Sequence, residues 1–330
     1  MMRTPLACRA LLAALTLTLA ACSKDGAPEP SGPTATATPS ANASASANAN
    51  ANANANPDAP PALPPFDAGA VLPLFADAGF NAREQSDFAS ILAGIDAPCP
   101  SVPVSIAQCI AEHRACPDCL AAARYVAIGI HDGWPGQYIG AGLAGRFDPV
   151  QTKDLPDDGS PSKGPASAPI TIVEFGSYLC PHCAAEAPKL EALLAAHPKQ
   201  LRLVFKPVWA PDNQTSMHAT RAAIAAGAQG KFWEMHALIF GNQPRAADAD
   251  LDGYAQSLGL DMTRFHNDIK APETSDRMKR DMALSAKAGV DTIPALWING
   301  HALMPFEKLE ERMAFEIAQL PAASTPASKH

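Results

Sequence analysis

The chain has 330 residues, 47% of them hydrophobic, with a formal net charge of −8. That length allows more than one domain, and the acidic balance leaves no basic footprint for nucleic acid. The charge argues only for solubility, while the 32 prolines cluster early and mark extended or unstructured chain.

Met1 to Ala21 reads as a targeting segment. Arg3 and Arg9 give it a positive start, and Leu11 to Ala20 an apolar stretch too short to span a bilayer. It ends Leu19-Ala20-Ala21-Cys22, which resembles a bacterial lipobox. That resemblance implies lipid on Cys22, cleavage before it and a membrane anchor; the alternative is an ordinary signal peptide. Ser23, where an aspartate would signal inner-membrane retention, leans the expectation toward the outer membrane. Residues 22–65 are rich in Ala, Asn and Pro and almost empty of large apolar side chains. Such a segment cannot bury a core and is expected to be a disordered tether.

Residues 66–147 read as a small helical module. Phe75, Phe80, Phe88, Ile91 and Leu92 suggest short helical pieces. Cys99, Cys109, Cys116 and Cys119 follow, then a helix from Leu120 to about Ile130, a turn at Asp132 to Pro135, and a second helix toward Arg146-Phe147. This hairpin resembles the small helical domain of cytochrome c maturation proteins such as CcmH, although Leu120 stands where that motif has glutamine. With Cys8 in the signal and Cys22 lipidated, six of eight cysteines remain. An even set in an exported chain reads as disulfides. Four cysteines allow three pairings, and two alternatives stay open: a tetrahedral zinc site or a second redox pair at Cys116 and Cys119. His113 reads as an exposed helix residue. Residues 148–168, rich in Pro, Gly, Asp and Ser, read as a linker.

Residues 169–330 carry the chemistry. Ile170 to Val173 is a β-branched apolar run, expected as a buried strand. Ala184, Ala187, Leu190, Leu193 and Leu194 then recur at helical spacing. Cys180-Pro181-His182-Cys183 therefore sits at a strand-to-helix turn, with Cys180 near the helix N-terminus. Free backbone N–H groups and the helix dipole stabilise an anion there, and that anion is a thiolate. His182, when protonated, adds positive charge. Alone, a C-x-x-C is equally a structural disulfide or half of a zinc site. A strand before, a helix after and a distant Thr292-Ile293-Pro294 ahead of another apolar strand make it a redox motif.

These residues resemble the DsbA-like branch of the thioredoxin superfamily, from about Gly164 to Leu320. The resemblance implies an α/β thioredoxin fold with a helical insertion at about 211–289. It makes Cys180 the attacking thiol, Cys183 the resolving thiol, Pro294 a cis-proline facing the disulfide and Glu174 a buried acid beneath it. Thr292 and Ile293 would bind substrate, with the Ile293 backbone pairing with an extended strand. Lys206, at the end of the strand Leu201 to Lys206, falls where it would pair with Glu174 as a lysine does in thioredoxin-like folds; the alternative, a solvated lysine, stays open.

Five helices are expected between Thr215 and Gly289, a strand and hairpin over Ala295 to Met304, and a last helix from Phe306 to Leu320. Phe232, Trp233 and Phe240 read as core, and His218 and His236 as ordinary helix histidines. The function so implied is thiol–disulfide exchange introducing disulfides into exported proteins, on the periplasmic side of the envelope, with no cofactor and no metal. Reduced exported proteins would be substrates, and a membrane or periplasmic redox partner would reset the Cys180/Cys183 pair. The rival readings are a reductase or isomerase of the same chemistry, as in cytochrome c maturation, and a non-catalytic partner-binding lipoprotein.

Overall fold

A computed structural model describes residues 68–210 and 213–321. The expected signal segment, the lipid site at Cys22 and the tether lie outside the described residues. Among those described, no helix is long and apolar enough to cross a membrane.

The N-terminal module begins with a 3-10 segment, Ala68–Ala78, followed by α1 (Ala82–Gly94), α2 (Ile106–Ala111), α3 (Asp118–His131) and α4 (Gly136–Phe147). Asn81 starts α1 by accepting the Arg83 and Glu84 N–H groups, while Glu84 accepts the Asn81 N–H. This reciprocal arrangement satisfies donors that a helix N-terminus otherwise leaves free. Phe88, Leu92, Ile106, Tyr125, Val126 and Ile139 form the buried centre. Disulfides join Cys99 to Cys116 and Cys109 to Cys119, tying the loop before α2, and α2 itself, to the start of α3. His113 is exposed but lies just past α2, with φ 49°.

The second part is a five-stranded sheet in the order β1-β3-β2-β4-β5. Its strands are β1 (Ser162–Lys163), β2 (Ile170–Gly176), β3 (Leu201–Pro207), β4 (Ala295–Ile298) and β5 (His301–Ala302). β2 and β3 run parallel, joined by α5 (Pro181–Ala196), as a parallel pair requires a crossover. β4 pairs antiparallel with β2 and turns into β5 through Asn299 (φ 49°) and Gly300 (φ 81°). Two successive positive φ values suit an Asn-Gly hairpin turn. A Cβ on Gly300 would also lie 2.5 Å from the Lys153 carbonyl oxygen.

The helical insertion comprises α6 (Gln214–Gly227), α7 (Phe232–Gly241), α8 (Asp248–Ser257), α9 (Met262–Lys270) and α10 (Pro272–Ala288). Small residues along α6 (Ala219, Ala222, Ala223 and Ala226) are fully buried and let its neighbours pack closely. Asn213 and Asp261 cap α6 and α9, and Gly289 ends α10 in the left-handed conformation. The expected α/β thioredoxin fold with a helical insertion and a preceding cysteine-containing helical module is thus present.

Two details differ from the sequence reading. The stretch read as linker contributes β1, and also Asp157 and Ser160, whose oxygens accept hydrogen bonds from Lys206. The last helix, α11 (Leu309–Ala318), starts three residues late because Phe306 instead packs against Trp134 and Tyr138 of the module. Across this junction Tyr125 donates to Glu307 (2.7 Å), Arg312 bridges Glu307 (2.7 Å) and Glu316 (2.8 Å), and Arg146 donates to Glu316 (2.7 Å). Phe315 completes the module core from α11. The module and the sheet domain therefore share buried surface.

Candidate active site

The strand β2 carries the chain to the site and α5 leads away from it. Cys180 is the N-cap of α5, with extended backbone (φ −84°, ψ 117°), and Pro181 occupies the first helical position. A proline is tolerated there because that residue's N–H has no helical partner. The Cys180 sulfur accepts the Cys183 N–H at 3.4 Å and lies 3.7 Å from the Ile293 carbonyl, to which its thiol donates. Cys180 and Cys183 are both free thiols.

The two sulfurs differ in environment. Cys180 is half-buried and Cys183 has no exposed surface. Burial pushes the Cys183 thiol far above its ordinary range, against the Ser177 N–H that donates to its sulfur at 3.5 Å. His182 projects from the first turn of α5 and is exposed.

Glu174 is 1% exposed, and its Oε1 has no hydrogen-bond partner among the described residues. Burial raises its carboxyl to about 8, with the neighbouring charge of Glu186 adding to the effect. It is therefore a neutral acid at pH 7. Gly176, two residues on, leaves a gap: a Cβ placed there would be 3.0 Å from Glu174 Oε1 and 3.6 Å from Cys183 Sγ.

The Ile293–Pro294 bond is cis, at the start of β4. Thr292 is exposed beside it. Both Thr292 and Ile293 line a groove of about 390 Å³ that also takes in Cys180, Leu179, Trp209 and Met282. The fold thus brings Glu174, Cys180, Pro181, His182, Cys183, Thr292, Ile293 and Pro294 to one end of the sheet.

Lys206 does not join them, and its expected pairing with Glu174 is corrected. The register sets Glu174 opposite Phe205, and Lys206 opposite Phe175. Side chains alternate between faces along a strand, so Glu174 faces α5 while Lys206 faces α10. There Lys206 binds Asp281 (3.2 Å), Ser160 (2.9 Å) and the Asp157 carbonyl (3.1 Å).

His236 is likewise not an ordinary helix histidine. It is buried among Phe205, Phe232 and Phe240, its Nδ1 lies 3.2 Å from the Tyr178 hydroxyl, and burial lowers it to about 3. A further residue, Gln243, supports the site. Gln243 donates from one amide nitrogen to the carbonyls of Tyr178 (2.9 Å) and Cys180 (2.8 Å), and so pins the turn that presents Cys180. It comes from the loop after α7, and no local pattern marks it.

The thioredoxin family model matches residues 157–314. Among curated proteins, a Na(+)/H(+) antiporter NhaA 1 of Salinispora arenicola is 35% identical over 143 residues, 42% of this chain and 21% of the antiporter. An NhaA antiporter of Herminiimonas arsenicoxydans is 33% identical over 141 residues, 43% of this chain and 22% of that protein. The chain thus spans about a fifth of the length of these relatives. Among solved structures, a thioredoxin-like oxidoreductase from Silicibacter pomeroyi is 28% identical, with a TM-score of 0.45 over 50% of this chain and 92% of that one. BdbD from Bacillus subtilis is 21% identical, with a TM-score of 0.45 over 50% and 96%.

Proposed function

We propose, from the match of residues 157–314 to the thioredoxin family model, that this protein is a thiol–disulfide oxidoreductase acting through Cys180 and Cys183. The carrying observation is the asymmetry of the two sulfurs: Cys180 half-buried at a helix N-terminus, Cys183 sealed behind it.

In the oxidising direction a substrate thiolate attacks the Cys180 sulfur of the Cys180–Cys183 disulfide. The bond's electron pair leaves on Cys183, which takes a proton, and the neutral Glu174 carboxyl is its nearby source. A second substrate thiolate then attacks the substrate sulfur of the mixed disulfide. The substrate leaves with its own disulfide, and Cys180 leaves as the thiolate. Extended substrate chain lies along Ile293, beside the groove at Thr292. The cycle closes when a membrane or periplasmic partner re-oxidises the pair. Substrates are reduced exported proteins, and lipid on Cys22 would hold the enzyme at the envelope.

The direction of flow rests on the Cys183 N–H, which donates to the Cys180 sulfur at the N-terminus of α5, where a helix favours an anion. A stabilised thiolate stabilises the reduced enzyme and makes its disulfide a stronger oxidant. Equilibration of the purified chain with glutathione tests this. The expected potential is near the strongly oxidising family limit of about −120 mV; a value near thioredoxin's, about −270 mV, overturns the oxidase reading in favour of a reductase.

A further inference from the structure

The module holds a second Cys-Pro-x-Cys. Cys116-Pro117-Asp118-Cys119 stands at the start of α3, one residue further out than Cys180-Pro181-His182-Cys183 at the start of α5, since Pro117 and not Cys116 is the N-cap. Yet Cys116 and Cys119 are bonded elsewhere, to Cys99 and Cys109. The two disulfides are stacked: the sulfurs of Cys109, Cys116 and Cys119 all lie within 4.8 Å of one another. Cys109, Cys116 and Cys119 are buried, and Cys99 is half-buried, so Cys99 is the end of the cluster an outside thiol reaches first.

We infer that the four cysteines are a second dithiol/disulfide centre, which accepts two electrons from an external dithiol by moving its remaining bond to Cys116–Cys119. An external thiolate attacks the Cys99 sulfur, the Cys99–Cys116 bond breaks, and the electron pair leaves on Cys116. The Cys116 thiolate attacks Cys119; the Cys109–Cys119 bond breaks, and Cys109 takes the pair and a proton. The second thiol of the external dithiol then attacks the mixed disulfide and departs as a disulfide, and Cys99 takes the other proton. One disulfide is consumed, one is formed outside, and one has migrated.

The sulfurs of Cys109 and Cys119 neighbour that of Cys116 alike. What favours Cys119 as the receiver is its Cys-x-x-Cys spacing from Cys116 at the start of α3.

This inference does not rest on the role of Cys180, and it is tested with that centre silenced. The full chain carrying Cys180→Ala and Cys183→Ala is treated with limiting dithiothreitol, acid-quenched, alkylated and mapped by mass spectrometry. The expected two-electron species carries label on Cys99 and Cys109, with Cys116 linked to Cys119. Label on Cys99 and Cys116 with Cys109–Cys119 intact overturns the inference, as do four labels appearing together. In the same background, Cys99→Ser with Cys116→Ser removes the relay. Reduction of Cys109–Cys119 should then slow by roughly tenfold. A rate that is unchanged or faster, as loosening of a structural module would give, overturns it too.

Discussion

Glu174 and Cys183 face one gap, the bare side of Gly176 between them. The carboxyl oxygen has no hydrogen-bond partner among the described residues, and the sulfur has no exposed surface. A methyl group at that position would crowd both, and would press on the Phe205 ring at 3.0 Å. Gly176→Ala is expected to cost about 1–3 kcal/mol by overpacking, and to slow turnover more than formation of the first mixed disulfide. Denaturant unfolding alongside a thiol-exchange assay checks both effects.

The difference in exposure between the two thiols predicts which one is trapped. Cys183→Ala should accumulate mixed disulfides through Cys180, because the sulfur proposed to resolve them is gone. Cys180→Ala should form almost none, since Cys183 is sealed from solvent. Non-reducing electrophoresis with reduced substrate protein reads this directly. Adducts through Cys183 would reverse the assignment.

Glu174, raised from 4.5 to about 8, makes stability depend on pH. Between those values the unfolded chain has lost the proton and the folded chain keeps it. Stability is therefore fully present below about 4.5 and falls as pH rises toward 8, by up to roughly 5 kcal/mol. Glu174→Gln should flatten that slope. It should also slow the step in which Cys183 is protonated, with the wild-type rate falling above pH 8 and the variant's not following. Melting curves and single-turnover kinetics across pH 5–9 separate the two effects.

His236 carries the opposite sign. Lowered from 6.5 to about 3, it contributes stability above pH 6.5 that is lost as pH falls toward 3. His236→Phe should remove this acid sensitivity but leave the buried Tyr178 hydroxyl without its partner, at a cost of about 1–3 kcal/mol. Adding Tyr178→Phe should recover much of that cost. A double-mutant cycle in urea at pH 7 measures the recovery, and strict additivity would show that the contact carries no coupling.

Lys206 and Asp281 form a pair whose side chains are 1% and 3% exposed. Without Lys206 the buried Asp281 keeps only the more distant Arg277 (3.8 Å) as a cation, so Lys206→Met is expected to destabilise, by up to about 3–5 kcal/mol. Lys206→Met combined with Asp281→Leu should cost less than Lys206→Met alone. Because Lys206 lies on the face away from Glu174, the pH dependence attributed to Glu174 should survive in Lys206→Met. Loss of that dependence would return Lys206 to the site.

The site's parts were legible where they are local. Ile170 to Val173 is β-branched and apolar, the residues after Cys183 repeat at helical spacing, and Cys180-Pro181-His182-Cys183 lies between them. Strand, turn and helix follow from patterns a few residues long. The five helices of the insertion carried the same periodicity. What the chain alone could not reveal depends on which face a strand presents and on which distant loop returns to it. Lys206 and Phe205 are neighbours in sequence, and a shift of one position exchanges their faces. Only the register of β2 against β3 sends Lys206 to α10 and leaves Glu174 without an ion-pair partner among the described residues. Likewise, Gln243 reaches the Cys180 carbonyl across 63 residues of chain, and His236 reaches Tyr178 across 58. Four cysteines permit three pairings, and only the packing of α2 against α3 brings Cys109 to Cys119 and leaves Cys99 for Cys116. Periodicity records what a residue's near neighbours require. Burial, hydrogen bonding and the acidity of Glu174 are set by groups that meet only when the chain closes on itself.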